Sequence, residues 1–173
     1  MKRLFLMRHA KAARADPILQ DFDRPLEEEG RLGAAKVAGF MAAKGFVPDF
    51  SLCSPALRAA QTLAVAARAF PEAAPARFPE ALYNAAPDAV RDEIAGAPAS
   101  AASVLVVGHN PGVHALALDL ALASSSDAQA LMRLHRSFPP GAVAVFALPI
   151  ADWTDIATAK GALLAFAAPK ELA

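Results

Sequence analysis

The chain has 173 residues, about the length of one ordinary domain, so we expect a single domain over residues 1–173. Hydrophobic residues make up 55% of the sequence and charged residues 20%, a composition that excludes an intrinsically disordered chain. The 17 basic and 17 acidic side chains balance, which argues against a nucleic-acid partner, and the single cysteine excludes an internal disulfide.

The predicted elements alternate between short apolar strands and longer helices. Apolar runs of about five residues are typical of buried parallel strands, and apolar residues three or four apart over a longer stretch indicate helices. In chain order we predict a strand at 3–7, a loop at 14–24, a helix at 26–44, a strand at 49–53, a helix at 55–69, a mostly irregular segment at 71–87 with a short strand near 76–78, a helix at 88–96, a strand at 103–108, helices at 113–122 and 127–135, and strands at 142–148 and 161–167.

This alternation of strands and helices predicts an α/β fold with a mostly parallel central sheet. Two helix starts carry a recognisable pattern, because Ser54 and Asn110 each precede a proline. We expect both residues to act as N-caps, with the proline at the first helical position.

The amino-terminal sequence does not resemble a secretory signal. Its apolar run, Leu4–Met7, is short and is followed at once by Arg8 and His9. No other run approaches the roughly 20 apolar residues that a membrane span needs. We therefore expect a cytoplasmic protein without a membrane partner.

Basic and imidazole side chains follow three of the predicted strands. Arg8 and His9 follow the first strand, Arg58 lies in the first turn of the helix after the second, and His109 follows the strand 103–108. In an open α/β sheet the carboxyl ends of the strands face the binding crevice, so these residues can converge. Two arginines beside helix N-termini favour an anion, and phosphate is the best match to their donors.

Several segments resemble the histidine phosphatase superfamily, and most closely its small phosphohistidine phosphatases of the SixA type. The segments appear in the order and spacing of that family and cover nearly the whole chain. They are LFLMRHAKA at 4–12, DFDRPLEEEG at 21–30, SPALRAAQT at 54–62, PEALY at 79–83, GHNPG at 108–112 and the pattern W-DI-AT-KGALLAF-AP at 153–169.

The resemblance implies a phosphoglycerate mutase-like fold, a single-domain three-layer α/β/α sandwich. It also implies an enzyme that hydrolyses phosphoric monoesters or phosphoramidates without a metal or other cofactor. His9 would be the nucleophile and become transiently phosphorylated, while Arg8, Arg58 and His109 would hold the phosphoryl group. Asn110, within GHNPG, is predicted to bind phosphate with them.

An acidic residue near the PEALY segment is the proton donor in the family pattern, and Glu80 is the candidate. Its alternative interpretation is a surface carboxylate in a loop. Asp21, Asp23 and Arg24 resemble the loop that borders the site in the family. Arg58 also has an ordinary alternative, a helix-surface arginine paired with a carboxylate, but a cation at a helix N-terminus is unfavourable without a functional reason.

The residues themselves support a histidine nucleophile. Imidazole attacks only when neutral, and nearby arginines disfavour a further positive charge. One ring nitrogen of His9 would attack, and the other needs an acceptor, typically a backbone carbonyl, to fix the tautomer.

Three functions remain open at this point. The first is dephosphorylation of phosphohistidine on a signalling or phosphocarrier protein, and the second is a phosphatase or mutase for small phosphometabolites such as phosphoglycerate. The third is a phosphate-binding module without turnover, which would not need a nucleophile. Because only a short segment, 70–79, lies between the second helix and Glu80, we expect an open site that admits a protein side chain.

Overall fold

The computed structural model of the protein describes residues 1–72 and 74–172. Residue 73, within the predicted irregular segment, and residue 173, at the end of the predicted domain, lie outside the described residues. The strands are β1 (Lys2–Arg8), β2 (Phe50–Cys53), β3 (Ala76–Arg77), β4 (Ser103–Gly108), β5 (Val143–Leu148) and β6 (Ala162–Ala167), and the helices are α1 (Glu28–Ala43), α2 (Leu57–Ala67), α3 (Pro87–Ala95), α4 (Gly112–Leu120) and α5 (Ala128–Arg136).

The described strands form one sheet in the order β3-β2-β4-β1-β5-β6. β3, β2, β4 and β1 are parallel, whereas β5 and β6 are antiparallel to their neighbours. β4 lies near the centre, and each of its residues is buried, because helices cover both of its faces. The predicted mostly parallel sheet is confirmed.

Helices pack on both faces of the sheet. On one face, Phe5 and Met7 of β1 share a core with α1 and α2. On the other face, Leu4 and Leu6 share a core with α3, α4 and α5. Because neighbouring residues of a strand point to opposite faces, β1 contributes to both cores. This confirms the predicted three-layer α/β/α sandwich.

The carboxyl end of α1 is determined by a glycine. Gly45 has a φ of 70° and its N–H donates to the Ala42 carbonyl, while the Phe46 N–H donates to the Met41 carbonyl. A residue with a side chain is strained in this left-handed conformation, so glycine is well suited to end the helix.

Both predicted N-caps are wrong. The N-cap of α2 is Ala56 and that of α4 is Pro111, and neither is a side-chain cap. The reason is that both helices begin later than the pattern predicts, at Leu57 and Gly112, so Ser54 and Asn110 lie before the N-cap positions. The apolar run at 113–122 is otherwise helical up to Leu120, and the helix predicted at 127–135 is present as α5.

In the described ranges, none of the helices combines the length and apolar composition needed to cross a membrane.

Candidate active site

Three neighbouring strands bring the predicted site residues together. β2, β4 and β1 lie side by side and parallel, so their carboxyl ends meet at one edge of the sheet. Arg8 ends β1 and His9 follows it, while His109 follows β4 and Arg58 lies in the first turn of α2. The rings of His9 and His109 are 5.2 Å apart between centroids. The structure thus gathers side chains that are distant in sequence.

His9 has the acceptor that a nucleophilic imidazole requires. Its Nδ1 is 2.8 Å from the carbonyl oxygen of Ala10, so Nδ1 carries the proton and donates it. Nε2 is therefore left with a free electron pair. Burial, opposed by the Ala10 hydrogen bond and helped by the charges of Arg58 and Arg8, lowers the pKa of His9 to about 4. The ring is neutral at pH 7.

His109 is also neutral and is held from both sides. Arg58 Nη2 lies 3.4 Å from His109 Nδ1, so Nδ1 accepts, and the Nε2–H donates to Ser54 Oγ at 2.7 Å. Burial, together with the charges of His9 and Arg58, lowers the pKa of His109 to about 3. The Ser54 hydroxyl also accepts from the backbone N–H of Ala56 at 3.3 Å.

Arg58 is almost fully buried and is paired with a loop residue. Its Nη1 donates to the backbone carbonyl of Asp21 at 2.6 Å, and its Nη2 donates to Asp21 Oδ2 at 3.0 Å. The alternative interpretation placed Arg58 on the helix surface, which is wrong because only 3% of its side chain is exposed. That interpretation also expected a carboxylate partner, and the half-exposed Asp21 is that partner.

Arg8 and Asn110 share one acceptor. Arg8 Nη1 donates to the Phe138 carbonyl at 3.1 Å, and Asn110 Nδ2 donates to the same oxygen at 3.0 Å. Among the described residues, buried Arg8 Nε and Arg58 Nε have no hydrogen-bond partner. The site therefore holds more donors than the described protein atoms satisfy. Phosphate binding by Asn110 stays a prediction, and its amide is bonded to Phe138 here.

Tyr83 is a site residue that the sequence reasoning missed. Its ring packs edge-on against His109, at 5.6 Å between centroids, and lies 5.9 Å from the Arg58 guanidinium. Its hydroxyl donates to Asp21 Oδ2 at 2.7 Å. The available signal was its position at the end of the PEALY segment, three residues after Glu80.

Glu80 begins a short 3-10 turn at Glu80–Leu82 and is exposed. Its carboxylate makes no hydrogen bond or ion pair with any described residue. The carboxylate that contacts Arg58 is instead that of Asp21. Hydrogen bonds from Tyr83, Arg24 and Arg58 outweigh the partial burial of Asp21 and lower the pKa of Asp21 to about 2. The role of Glu80 as proton donor stays a prediction.

Thr62 connects the segment after His9 to α2. Its hydroxyl accepts from the Ala10 N–H at 2.9 Å and donates to the Arg58 carbonyl at 2.6 Å. The next residue back, Gln61, accepts from the Leu26 N–H at 2.8 Å. Thr62 and Gln61 therefore connect α2 to the segments of Ala10 and Leu26, so α2 holds the segment that carries His9.

The site can bind an anion and attack it. Two guanidinium groups supply positive charge and forked donors, and a neutral imidazole supplies a nucleophilic nitrogen. In the described ranges, no three histidine, cysteine, aspartate or glutamate residues are grouped so that they could hold a metal ion.

Comparison with known proteins shows which family the chain resembles. The sequence profile of the histidine phosphatase superfamily (branch 1) matches residues 4–85. A protein of Mycobacterium tuberculosis, Rv1276c, described as uncharacterized, is 40% identical over 164 residues that cover 95% of this chain and 100% of that protein.

Two solved structures are similar over nearly the whole chain. A proposed phosphohistidine phosphatase SixA from Nakamurella multipartitia is 36% identical with a TM-score of 0.80, covering 97% of this chain and 96% of the other. A second proposed SixA, from Agrobacterium tumefaciens, is 32% identical with a TM-score of 0.79 and covers 97% and 98%.

The fold and site define an anion-binding α/β protein with a histidine nucleophile candidate at the ends of its parallel strands. The chain belongs to the histidine phosphatase superfamily. It is a phosphatase, a hydrolase that releases phosphate, so the predicted resemblance and enzyme class are confirmed. A binding module without turnover is excluded.

Proposed function

We propose that this phosphatase acts without a metal on phosphohistidine in a signalling or phosphocarrier protein, through a phosphohistidine intermediate on His9. The observation that carries the proposal is the state of His9. Its Nδ1 proton is held by the Ala10 carbonyl, and its pKa of about 4 leaves Nε2 unprotonated at neutral pH. A neutral, oriented imidazole beside two arginines is suited to attack a phosphoryl group.

The reaction has two steps. The electron pair of His9 Nε2 forms a bond to phosphorus, while the bond from phosphorus to the substrate imidazole breaks and its electron pair stays on that nitrogen. The released imidazole takes up a proton from Glu80 or from solvent. Water then attacks the phosphorylated His9, which restores the histidine and yields inorganic phosphate. Arg8, Arg58 and His109 would stabilise the charge on the phosphoryl oxygens.

A protein substrate is supported by the openness of the site. Among its described residues, the segment 70–79 adds only the two-residue strand β3, and Glu80 is exposed, so a short stretch of chain is available to cover the site. A cleft of about 350 Å³ is lined in part by Ala10, the residue that follows His9. Its lining combines small apolar residues with lysines, namely Ala10, Lys11, Gly30, Gly33, Pro139, Pro140, Pro169 and Lys170, together with Glu29.

The substrate class is tested with purified protein in the presence of a chelator. Phosphohistidine-containing carrier and receiver proteins are compared with p-nitrophenyl phosphate and 3-phosphoglycerate, using kcat/KM as the measure. We expect the highest value for the phosphohistidine proteins. A higher value for phosphoglycerate would favour the small-metabolite alternative, and a strict requirement for a divalent metal would contradict the mechanism.

The nucleophile is tested with His9→Ala. This variant should lose turnover, and acid-labile phosphate should no longer appear on the protein, while inorganic phosphate still binds. His135→Ala is the matched control, because His135 is an exposed residue of α5. More than a few per cent of the wild-type rate in His9→Ala would mean that His9 is not the nucleophile.

A further inference from the structure

Three of the N–H donors of Arg58 are already used by the protein itself. A guanidinium group has five N–H donors. Nη1 donates to the Asp21 carbonyl, and Nη2 donates to Asp21 Oδ2 and faces His109 Nδ1. Nε is buried and has no partner among the described residues. Of the four N–H groups on Nη1 and Nη2, only one on Nη1 therefore has no acceptor among the described residues. Arg58 cannot donate two hydrogen bonds from its Nη atoms to an anion while these contacts are in place.

Asp21 is held in this position from several directions. Arg24 donates to Oδ1 from Nε at 2.9 Å, and its Nη2 forms an ion pair with the same oxygen at 2.8 Å. Tyr83 donates its hydroxyl to Oδ2 at 2.7 Å, on the same oxygen that Arg58 contacts. The carboxylate thus receives charge-assisted hydrogen bonds from two arginines, which is the environment expected of a bound anion.

We propose that the Asp21 carboxylate is an internal anion that occupies Arg58 in the free protein, and that a phosphoryl group must displace it to bind. Asp21 would therefore be a specificity-determining residue, because the affinity of the site for an anion would depend on how readily that anion displaces the Asp21 carboxylate. The inference rests on the proposed function, because it takes Arg58 as a phosphoryl-binding residue.

The surroundings of Asp21 are consistent with displacement. A buried guanidinium without a counter-ion is costly, so a nearby carboxylate stabilises Arg58 before phosphate arrives. Asp21 itself is 48% exposed and lies in the 3-10 turn Asp21–Asp23, which has no buried residue. Moving the side chain would therefore disturb no core packing. A phosphate dianion carries more charge and more acceptor oxygens than a carboxylate, so it can replace Asp21 on Arg58.

The test measures inorganic phosphate binding by calorimetry at pH 7.5. Asp21→Asn keeps the shape of the side chain and removes its charge, so phosphate should bind about tenfold more tightly than to the wild type, since the competing ion pair is lost. Asp23→Asn is the matched control. It removes the same charge from the same turn, and the Asp23 carboxylate makes no hydrogen bond or ion pair with described residues. It should change the affinity less than about twofold.

Tyr83→Phe provides a second, independent variant. It removes one hydrogen bond to Asp21 and keeps the ring against His109, so phosphate should bind about two- to threefold more tightly. In the Asp21→Asn background the same substitution should have no further effect, because Tyr83 acts through Asp21.

Three results would overturn the inference. The first is weaker phosphate binding by Asp21→Asn, which would mean that Asp21 orients Arg58 for the ligand. The second is an equal effect of Asp21→Asn and Asp23→Asn, which would reduce Asp21 to general electrostatics. The third is no saturable phosphate binding by the wild type or by Asp21→Asn, and this result alone would also remove the phosphate site of the proposed function.

Discussion

The two site histidines have opposite tautomers, and their hydrogen bonds explain why. His9 donates from Nδ1 to a carbonyl, whereas His109 accepts at Nδ1 from Arg58 and donates from Nε2 to Ser54. Among the described residues, neither ring forms a hydrogen bond or ion pair with a carboxylate, and the charge of Asp21 only partly opposes the lowering of the pKa of His109. Each ring therefore stays neutral down to a pH well below the usual pKa of histidine.

This arrangement predicts a specific titration. We expect ¹⁵N NMR at pH 6 to show His9 neutral with its proton on Nδ1, and His109 neutral with its proton on Nε2. His9 should take up a second proton only as the pH falls through about 4, and His109 through about 3. Arg58→Gln removes a charge that disfavours imidazolium, so it should raise the pKa of His9. A protonated His9 at pH 6 in the wild type would contradict a pre-formed nucleophile.

Glu80 separates the two candidate substrate classes. An alkoxide leaving group depends on a positioned acid, whereas an imidazole can be protonated before it departs. Glu80→Gln should therefore slow alkyl phosphate ester hydrolysis by about 10²-fold or more and phosphohistidine hydrolysis much less. The measurement is kcat on both substrates.

The control for Glu80 is Asp88→Asn, on the first turn of α3. Large and equal losses on both substrates would argue against the phosphohistidine preference. No loss on either would mean that Glu80 is an ordinary loop carboxylate, and Asp21 would be the next acid to test.

At the scale of elements, α2 carries both Arg58, the proposed phosphoryl-binding residue, and a residue that supports the proposed nucleophile. Arg58 and Thr62 are four residues apart and therefore lie on the same face of the helix. Thr62 is fully buried, and its hydroxyl is the acceptor of the Ala10 N–H. The Ala10 carbonyl in turn orients His9. A change in α2 can thus alter the orientation of the His9 ring through the hydroxyl of Thr62.

Thr62→Val should lower both stability and kcat. The substitution keeps the shape of the side chain but leaves the buried Ala10 N–H without its acceptor, which costs about 1–3 kcal/mol. Urea unfolding measures the free energy, and kcat should fall with KM changing less. Thr62→Ser keeps the hydroxyl and should retain more of the kcat. Equal kcat for the valine and serine variants would show that this hydroxyl does not position His9.

The glycines of α1 predict opposite effects for the same substitution. A Cβ on Gly30 would lie 2.0 Å from the Lys11 carbonyl oxygen, a backbone atom of the segment after His9. A Cβ on Gly39 would meet no atom within 4 Å. Gly30 therefore permits a close approach of α1 to the site segment, whereas Gly39 only weakens the helix.

Gly30→Ala should destabilise the protein by about 2 kcal/mol or more, since backbone must move. Gly39→Ala should stabilise it by about 0.5–1 kcal/mol, as expected for an exposed helix position. Chemical denaturation of both variants is the measurement. Equal signs would mean that α1 and the Lys11 backbone are not in close contact.

At the scale of the molecule, the site joins parts of the chain that contribute to both cores. β1 and β4 contribute residues to each core, and they carry His9 and His109 at their ends. The loop residue Asp21 and the Phe138 carbonyl contact the site from outside the sheet, as acceptors of Arg58 and Arg8. A ligand bound here should therefore oppose global unfolding, not just local motion.

Phosphate should raise the free energy of unfolding of the wild type. A ligand present at 100 times its Kd adds about 2.7 kcal/mol when it binds only the folded state. Trp153, the single tryptophan, is fully buried and reports on unfolding by its fluorescence. Arg58→Ala should lose most of this dependence on phosphate. A stabilisation by phosphate that is the same in the variant would indicate a nonspecific salt effect.

The sequence by itself determined the fold class and the order of the elements, and it predicted four residues that the structure brings together. Apolar runs such as 103–108 identify buried strands because strand burial is a local property of side-chain patterning. Arg8, His9, Arg58 and His109 were identifiable because each follows a strand end or opens a helix. A regular sheet brings such positions together whatever the details of the loops.

Only the tertiary structure decided the partners of these residues. Whether Ser54 caps a helix or accepts from His109 depends on the distance between two strand ends, which no local pattern encodes. The contacts of Asp21 and Tyr83 with Arg58 join segments that are far apart in the chain, and the loop carrying Asp21 has no periodic pattern. Hydrogen bonds across such distances depend on how the layers pack, and packing is a property of the whole molecule.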